Sequence, residues 1–332
     1  MSIGKFAPRV ARPLSAIAGG LSLAAAFPPI GWGWLAPIAV ALLTFPTVTS
    51  TRLRGSFGWG FLGGATFFLV LLSWMNVLGA DAWILLALYC SLWFGLLGLV
   101  GRALFQLPVW PVWIAAAWVA QEALRDRVPY GGFPWGRLAF SQGNGPPVGF
   151  ASLGGPALIT FVVALSGALL LWALFQVVPT QDARTSDSRV PAARSKIGGR
   201  SWALAAVATS IVICLAGGLV PRPVDGENSG GPSTATVALI QGGVPGYGLD
   251  AMAQRRAVLN NHVRQTKLLA ESVRKGEVQA PELVVWPENS SDIDPLNDFA
   301  AKQAITDAAN AIGVPILVGA VVNSPTVPGT LW

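Results

Sequence analysis

Apolar residues in the first two-thirds of the chain gather into seven blocks, centred near Leu21, Ala39, Phe68, Phe94, Ala117, Ala164 and Ile211. A helix needs about 20 predominantly apolar residues to cross the hydrocarbon core of a bilayer. The blocks therefore predict a polytopic α-helical membrane bundle of about seven spans. The first two are short and part at Pro28-Pro29. Lys5, Arg9 and Arg12 ahead of the first block would also suit a cleavable signal peptide, but the further apolar blocks favour its retention as a first anchor.

After the seventh block the pattern changes. Residues 180–200 are rich in Ser, Ala and Arg without apolar periodicity and read as a flexible loop, and DGENSGGPS at 225–233 reads as a linker. Beyond it, apolar runs at Thr236–Ile240, Leu283–Trp286 and Ile316–Gly319 predict strands. Between them lie a helix with Leu259, Val263, Thr266, Ala270 and Val273 on one face and a second helix over Phe299–Ala311. Such a β-α-β-α-β series indicates an α/β domain. The expected organisation is a membrane bundle over 1–221, a linker over 222–233 and the first part of a soluble domain over 234–332.

Composition agrees with a lipid solvent. Of the residues, 53% are hydrophobic and 11% charged, against roughly a quarter charged in an ordinary soluble domain. The net charge of +6 is scattered in short groups between the apolar blocks, without the single basic face that nucleic acid would require. The groups suit a membrane topology. With the N-terminus cytoplasmic, Lys5/Arg9/Arg12, Arg52/Arg54, Arg102 and the run from Arg184 to Arg200 fall inside, and everything after Pro221 falls outside. The two cysteines, Cys90 and Cys214, sit within apolar blocks as packing residues, and the single histidine, His262, is expected on a solvated helix face. No metal site or cofactor is called for.

Three features carry candidate chemistry. Glu288, in LVVWPENSSD, follows a buried strand at the edge where ligands gather in open α/β sheets, and Pro287 ends that strand and fixes the carboxylate's point of departure. The segment EALRDRVPYGGFPWGRLAFSQGNGPP mixes Phe133, Trp135 and Phe140 with Arg125, Arg127 and Arg137, a composition suited to the headgroup boundary. Glu122, one turn before Arg125, reads as one half of an interfacial ion pair.

Taken in order, Gly132-Phe133-Pro134-Trp135, Phe140-Ser141-Gln142, Ile240-Gln241-Gly242 and Trp286-Pro287-Glu288 resemble the bacterial apolipoprotein N-acyltransferases, with Asn289 and the Arg-rich loop similar to the actinobacterial branch. That family joins a polytopic bundle in the bacterial cytoplasmic membrane to an extracytoplasmic nitrilase-type (carbon-nitrogen hydrolase) domain. The resemblance implies a four-layer α-β-β-α sandwich. It also implies acyl transfer from a membrane phospholipid, through a Cys thioester, to the N-terminal diacylglyceryl-cysteine of a lipoprotein. A thiol near pKa 8.5 needs a neighbouring base, and a cation lowers the barrier where negative charge develops. Glu288 matches the family's general base. Phe133, Trp135 and Arg137 are the implied lipid- or substrate-contacting residues of the interfacial arm.

In the family, a Lys and then a Cys follow the Glu. Here no cysteine follows Glu288, and Lys302 does not fill the Lys position. The chain is thus expected to be a C-terminally truncated, inactive form. Alternatives are a non-catalytic membrane scaffold or lipoprotein-binding remnant, and a membrane-tethered amidase, which would share Glu288 without needing the aromatic arm. A transporter would want paired charges or interrupted helices at mid-membrane, which the apolar blocks lack. Purified 332-residue protein is expected to give no turnover of a diacylglyceryl peptide in phospholipid vesicles; measurable N-acylation would contradict this.

Overall fold

The computed structural model describes residues 3–177, 199–221, 234–243 and 255–323. The linker and nearly all of the 180–200 loop lie outside the described residues. The chain divides into two compact units, Met1–Pro223 and Val224–Trp332.

Each of the seven apolar blocks forms a helix in the first unit. These are α1 (Ile3–Ala25), α2 (Leu35–Val48), α3 (Leu53–Leu71), α4 (Ala80–Leu104), α5 (Trp110–Arg125), α6 (Ala151–Val177) and α7 (Gly199–Ala216). Among the described residues, Ala80–Leu104, Pro146–Val177 and Gly199–Leu219 are long and apolar enough to cross a membrane, while Val10–Ala25 and Leu35–Val48 are shorter apolar helices. α6 is interrupted near its start, where Gly154 and Gly155 leave helical geometry just ahead of Pro156, a residue that cannot donate to the preceding turn.

In lipid, helices associate by close packing of small residues, because lipid tails solvate an apolar side chain as well as another helix does. The pair α3 and α4 follows this rule. A Cβ on Gly60 would overlap the Phe94 carbonyl, and one on Gly98 would overlap the Ser56 carbonyl. Above this contact an aromatic chain binds three helices: Phe67–Phe68 at 4.7 Å, Phe68–Phe94 at 5.4 Å and Phe94–Trp118 at 5.3 Å between ring centroids. α6 and α7 are joined by a two-way serine contact, Ser166 Oγ to the Ser210 carbonyl (3.3 Å) and Ser210 Oγ to the Ser166 carbonyl (3.2 Å).

The two ends of the bundle differ chemically. At one, Arg12 and Arg102 donate to the Thr49 and Thr51 carbonyls of the α2–α3 connection, at 2.6 and 3.1 Å. At the other, the α1–α2, α3–α4 and α5–α6 connections meet. Gln142 Nε2 donates to the Gly33 carbonyl at 2.9 Å, and Trp74 packs on Trp135 at 5.3 Å. Trp32, Trp34, Trp74, Trp135 and Phe140 are exposed there.

The second unit is a small parallel sheet of order β1-β2-β3, formed by Val237–Leu239, Leu283–Val285 and Ile316–Leu317, with α8 (Arg255–Arg274) and α9 (Phe299–Ile312) as crossovers. Ala238, Val284 and Ile316 are in register and belong to a core with Leu259 of α8 and Ala301 and Ala308 of α9. Because side chains alternate along a strand, their neighbours Leu239, Val285 and Leu317, also in register, point to the other face. Leu239 and Leu317 are exposed. α9 starts where Asp298 accepts from the Ala301 N–H at 2.7 Å and ends at Gly313, in the left-handed region at φ 79°. The strands are shorter than the apolar runs suggest, and β3 stops at Leu317, after which pairing continues only as an isolated bridge from Ser291 to Ala320.

Gly98→Leu is expected to destabilise the bundle by about 1–3 kcal/mol or more, the usual range for an overpacked contact. Gly58→Leu, at a helical position with open space around it, serves as the control and should not destabilise, since leucine is the better helix former. Denaturant titration in detergent distinguishes the two.

Candidate functional site

Two places hold the residues singled out from the sequence, one in each unit. In the second unit, Glu288 stands just beyond β2, the central strand. Trp286 ends the strand pairing by donating its backbone N–H to the Leu317 carbonyl at 2.9 Å. The chain then turns tightly, with the Ser290 N–H on the Pro287 carbonyl at 3.2 Å and Asn289 in the left-handed region at φ 56°. Ser290 and Ser291 are fully buried and both bond to the Gly319 carbonyl, at 3.0 Å from the hydroxyl and 3.3 Å from the amide. A Cβ on Gly319 would sit 2.8 Å from the Glu288 Cα, so only glycine lets the two segments approach. Glu288 itself is exposed, and among the described residues its carboxylate accepts no hydrogen bond. A carboxylate free of partners, on a turn fixed by buried neighbours, is available to take a proton from a substrate or a nucleophile.

The support beneath this turn comes from α8, a role not anticipated for its residues. Trp286 is buried, and its indole N–H donates to the Thr266 hydroxyl at 2.9 Å, which in turn donates to the His262 carbonyl at 2.9 Å. His262, expected on a solvated face, is instead 2% exposed. Its ring lies 5.6 Å from that of Trp286, and Nδ1 is 2.8 Å from the Val258 carbonyl. The reason is steric. Gly242, at the exit of β1, has no side chain to fill this space, and any Cβ there would press into the His262 backbone and ring. The readable signal was Thr266, a hydroxyl on an otherwise apolar helix face. Further along, Asp294 accepts from the Leu296 N–H and Asn297 Nδ2, and from both nitrogens of Asn323, at 2.7–3.0 Å. These bonds, the Asn323 backbone N–H foremost, hold its carboxyl below the usual carboxylate range.

In the first unit, the GFPW segment folds back on the last turn of α5. The Phe133 N–H bonds to the Arg125 carbonyl at 2.9 Å, and Arg125 Nη1 bonds to the Trp135 carbonyl at 2.8 Å. Asp126 and Arg137 form an ion pair. Gly132 has φ 75°, and a Cβ there would overlap the backbone of residues 125–127. The side chains are presented differently from one another. Trp135 is 53% exposed and packs tilted against Trp74, whereas Phe133 is half-buried against the bundle core and Arg137 is engaged by Asp126.

The expected Glu122–Arg125 ion pair is not formed. Glu122 is 3% exposed, and its two oxygens accept from the Leu138 N–H and the Thr160 hydroxyl, each at 2.8 Å. Arg125 is fully buried, with its guanidinium 5.2 Å from the Phe68 ring centroid. The opposing groups lie far away in sequence, in the connection and in α6, and no local spacing announced them.

A bundle of apolar helices with an aromatic end, followed by an α/β unit with an exposed carboxylate at a strand edge, describes a membrane-associated class of protein. Residues 19–169 match the family model for the apolipoprotein N-acyltransferase N-terminal domain. An apolipoprotein N-acyltransferase of Mycolicibacterium smegmatis is 44% identical over 316 residues, covering 94% of this chain and 52% of the relative. One from Chromobacterium violaceum is 34% identical over 47% of this chain and 32% of its own length. Another, from Vibrio parahaemolyticus, is 25% identical over 84% of this chain and 51% of its own length. The chain is thus similar to apolipoprotein N-acyltransferases, an actinobacterial one among them, and spans about half the length of the relatives that it matches most extensively.

Thr266→Val is expected to leave the Trp286 indole N–H buried without an acceptor, at a cost of about 1–3 kcal/mol. Thr266→Ser should retain most of the stability. Faster hydrogen exchange at the Val284 and Trp286 amides in the valine variant alone would report this.

Proposed function

We propose that this chain supplies the lipid-access bundle and the general base of an apolipoprotein N-acyltransferase. The reaction read from the family takes an acyl chain from a membrane phospholipid and places it on the α-amino group of an N-terminal diacylglyceryl-cysteine in a lipoprotein. The observation that carries the reading is the Glu288 carboxylate, exposed and without a hydrogen-bond partner among the described residues, at the end of the central parallel strand, where α/β sheets collect their catalytic groups.

In the chemistry proposed, Glu288 accepts the proton of a cysteine thiol as the thiolate attacks the phospholipid ester. The protonated Glu288 carboxyl returns that proton to the departing lysophospholipid oxygen, and a thioester forms. Glu288, a carboxylate again, then accepts a proton from the lipoprotein amine as it attacks the thioester and returns it to the departing thiolate. A lysine ammonium steadies the oxyanion in each step. In the family as the resemblance implies it, that lysine and cysteine follow the glutamate. Cys90 and Cys214 do not suit the role, since both lie in helices of the membrane unit, Cys90 fully buried and Cys214 at 3.1 Å from Ser166 Oγ.

Two further observations support the finer reading. The sheet has both of its helices on one side and exposed leucines on the other, as expected for one half of an α-β-β-α sandwich whose second sheet would cover that face. Each of the seven apolar blocks is helical, which supports seven spans, and the basic groups between them favour a cytoplasmic N-terminus and an extracytoplasmic second unit. In that topology the Trp135 end of the bundle lies at the outer headgroup region, where Phe133, Trp135 and Arg137 meet the phospholipid donor and the lipoprotein acceptor. The domain limits follow as 1–221 for the bundle, 222–233 for the linker and 234–332 for nitrilase-like sequence.

Glu288→Gln, in enzyme purified from native membranes, is expected to abolish thioester formation from a labelled phospholipid while membrane insertion is unchanged. An undiminished acyl-enzyme would remove Glu288 from the role of base.

A further inference from the structure

The geometry points to Glu122 as a positioning residue that holds the aromatic arm in its lipid-facing pose. The inference rests on the proposal that the arm lies at the outer headgroup region. The arm leaves α5 after Arg125 and rejoins the bundle through the 3-10 turn Leu138–Gln142. Its first half is held by the last turn of α5, through Arg125 and Asp126. Its second half is held at Leu138, whose backbone N–H donates to Glu122 Oε1. The other oxygen, Oε2, accepts from Thr160 on α6, so a single buried carboxylate joins α5, the arm and α6.

Three features make this more than an ordinary buried contact. Both carboxylate oxygens are used and neither goes to the arginine one turn away, so the group's interactions are spent on locating the connection. The residue located, Leu138, is 1% exposed and stands next to Arg137 and three residues from Trp135. The chain bracketed by the ties at Arg125 and Glu122 thus contains the exposed Trp135, set against Trp74 of a different connection. Finally, Gln142, at the end of the same 3-10 turn, holds the α1–α2 connection through Gly33, so the pose of the turn also sets where exposed Trp32 and Trp34 stand. A lipid-facing surface assembled from three connections keeps its shape only if the shared turn does not slide, and Glu122 is the side chain that fixes it to two helices. Groups that locate a binding surface in this way act through preorganisation.

The test uses the chain in phospholipid nanodiscs, in a Cys90→Ser, Cys214→Ser background, with a nitroxide on Phe140→Cys in the arm or on Leu92→Cys on the exposed face of α4. In Glu122→Leu, which removes both hydrogen bonds, the label at 140 should lose its immobilised spectral component and gain access to a water-soluble paramagnetic relaxant. The label at 92 should not change. Glu122→Gln should behave like the parent, because its carbonyl oxygen can accept from Leu138 and its amide can donate to the Thr160 hydroxyl. A Glu122→Leu protein with an unchanged α4 label and a still immobilised arm label overturns the inference. If that variant does not fold, Thr160→Val, which removes one of the two bonds, decides: mobilisation at 140 supports the role and its absence overturns it. The parent tests the underlying reading separately. A label at 140 that is more accessible to the relaxant than headgroup depth allows would defeat the lipid-facing pose while leaving the positioning role of Glu122 standing.

Discussion

A polar group inside a bilayer has no water to turn to, and each one left unsatisfied costs several kcal/mol. Helices meet this demand along their length by bonding to themselves. Their ends and connections cannot, and in this protein side chains make up the difference. Ser56 donates to the Thr47 carbonyl at 2.8 Å and Trp83 to the Leu69 carbonyl at 3.1 Å. Arg12 and Arg102 cap the α2–α3 connection, Gln142 holds α1–α2, and Glu122 receives the arm. Most of the polar side chains that an apolar bundle can tolerate are therefore found where the backbone leaves a helix.

The second unit solves a different problem with conventional means. Its sheet buries one face under two helices, and its catalytic candidate is placed by a sequence of buried contacts, from α8 through Thr266 and Trp286 to the Pro287–Ser290 turn. Rigid support on one side and open access on the other is the arrangement a proton-transfer group requires, because a base must be accurately placed and still unpaired. A carboxylate that is bonded on all sides, such as Asp294, is held in its charged form by those bonds and is correspondingly poor as a proton acceptor.

Much of the helical architecture was legible because lipid imposes a coarse rule, and blocks of apolar residues at the right length leave little else for the backbone to do. The β-α-β-α-β order was equally legible from alternating run lengths and helical periodicity, although strand ends were not, since pairing stops where Pro287 and the turn at Asn289 redirect the chain. The arm was visible as a mixture of rings and cations, but which ring stays exposed was not. Trp135 and Phe133 have similar chemistry, and the backbone between them turns at Gly132 and Gly136, whose positive φ values (75° and 74°) no apolar pattern reports. His262 was misread because a polar helix is normally solvated. Its burial depends on Gly242, twenty residues earlier in the chain, and no pattern local to the helix reports it.

The most informative departure is the pair of opposite charges at 122 and 125. Three residues apart on one helix, they have the spacing of a favourable ion pair, and pairing would neutralise both at membrane depth. The structure separates their duties instead. A mutual salt bridge would satisfy two side chains but leave the Leu138 N–H and the Trp135 carbonyl without these partners. By sending the carboxylate to the amide and the guanidinium to the carbonyl, the same two residues satisfy the backbone of the connection. The cost is visible in Arg125, whose Nε and Nη2 find no acceptor among the described residues, and is partly offset by the face of Phe68, since a desolvated cation over an aromatic ring can gain about 2 kcal/mol. Trading the shorter-range pairing for control of a loop makes physical sense where the pose of that loop matters to function. That is the expectation for an arm that presents tryptophan to the headgroup layer.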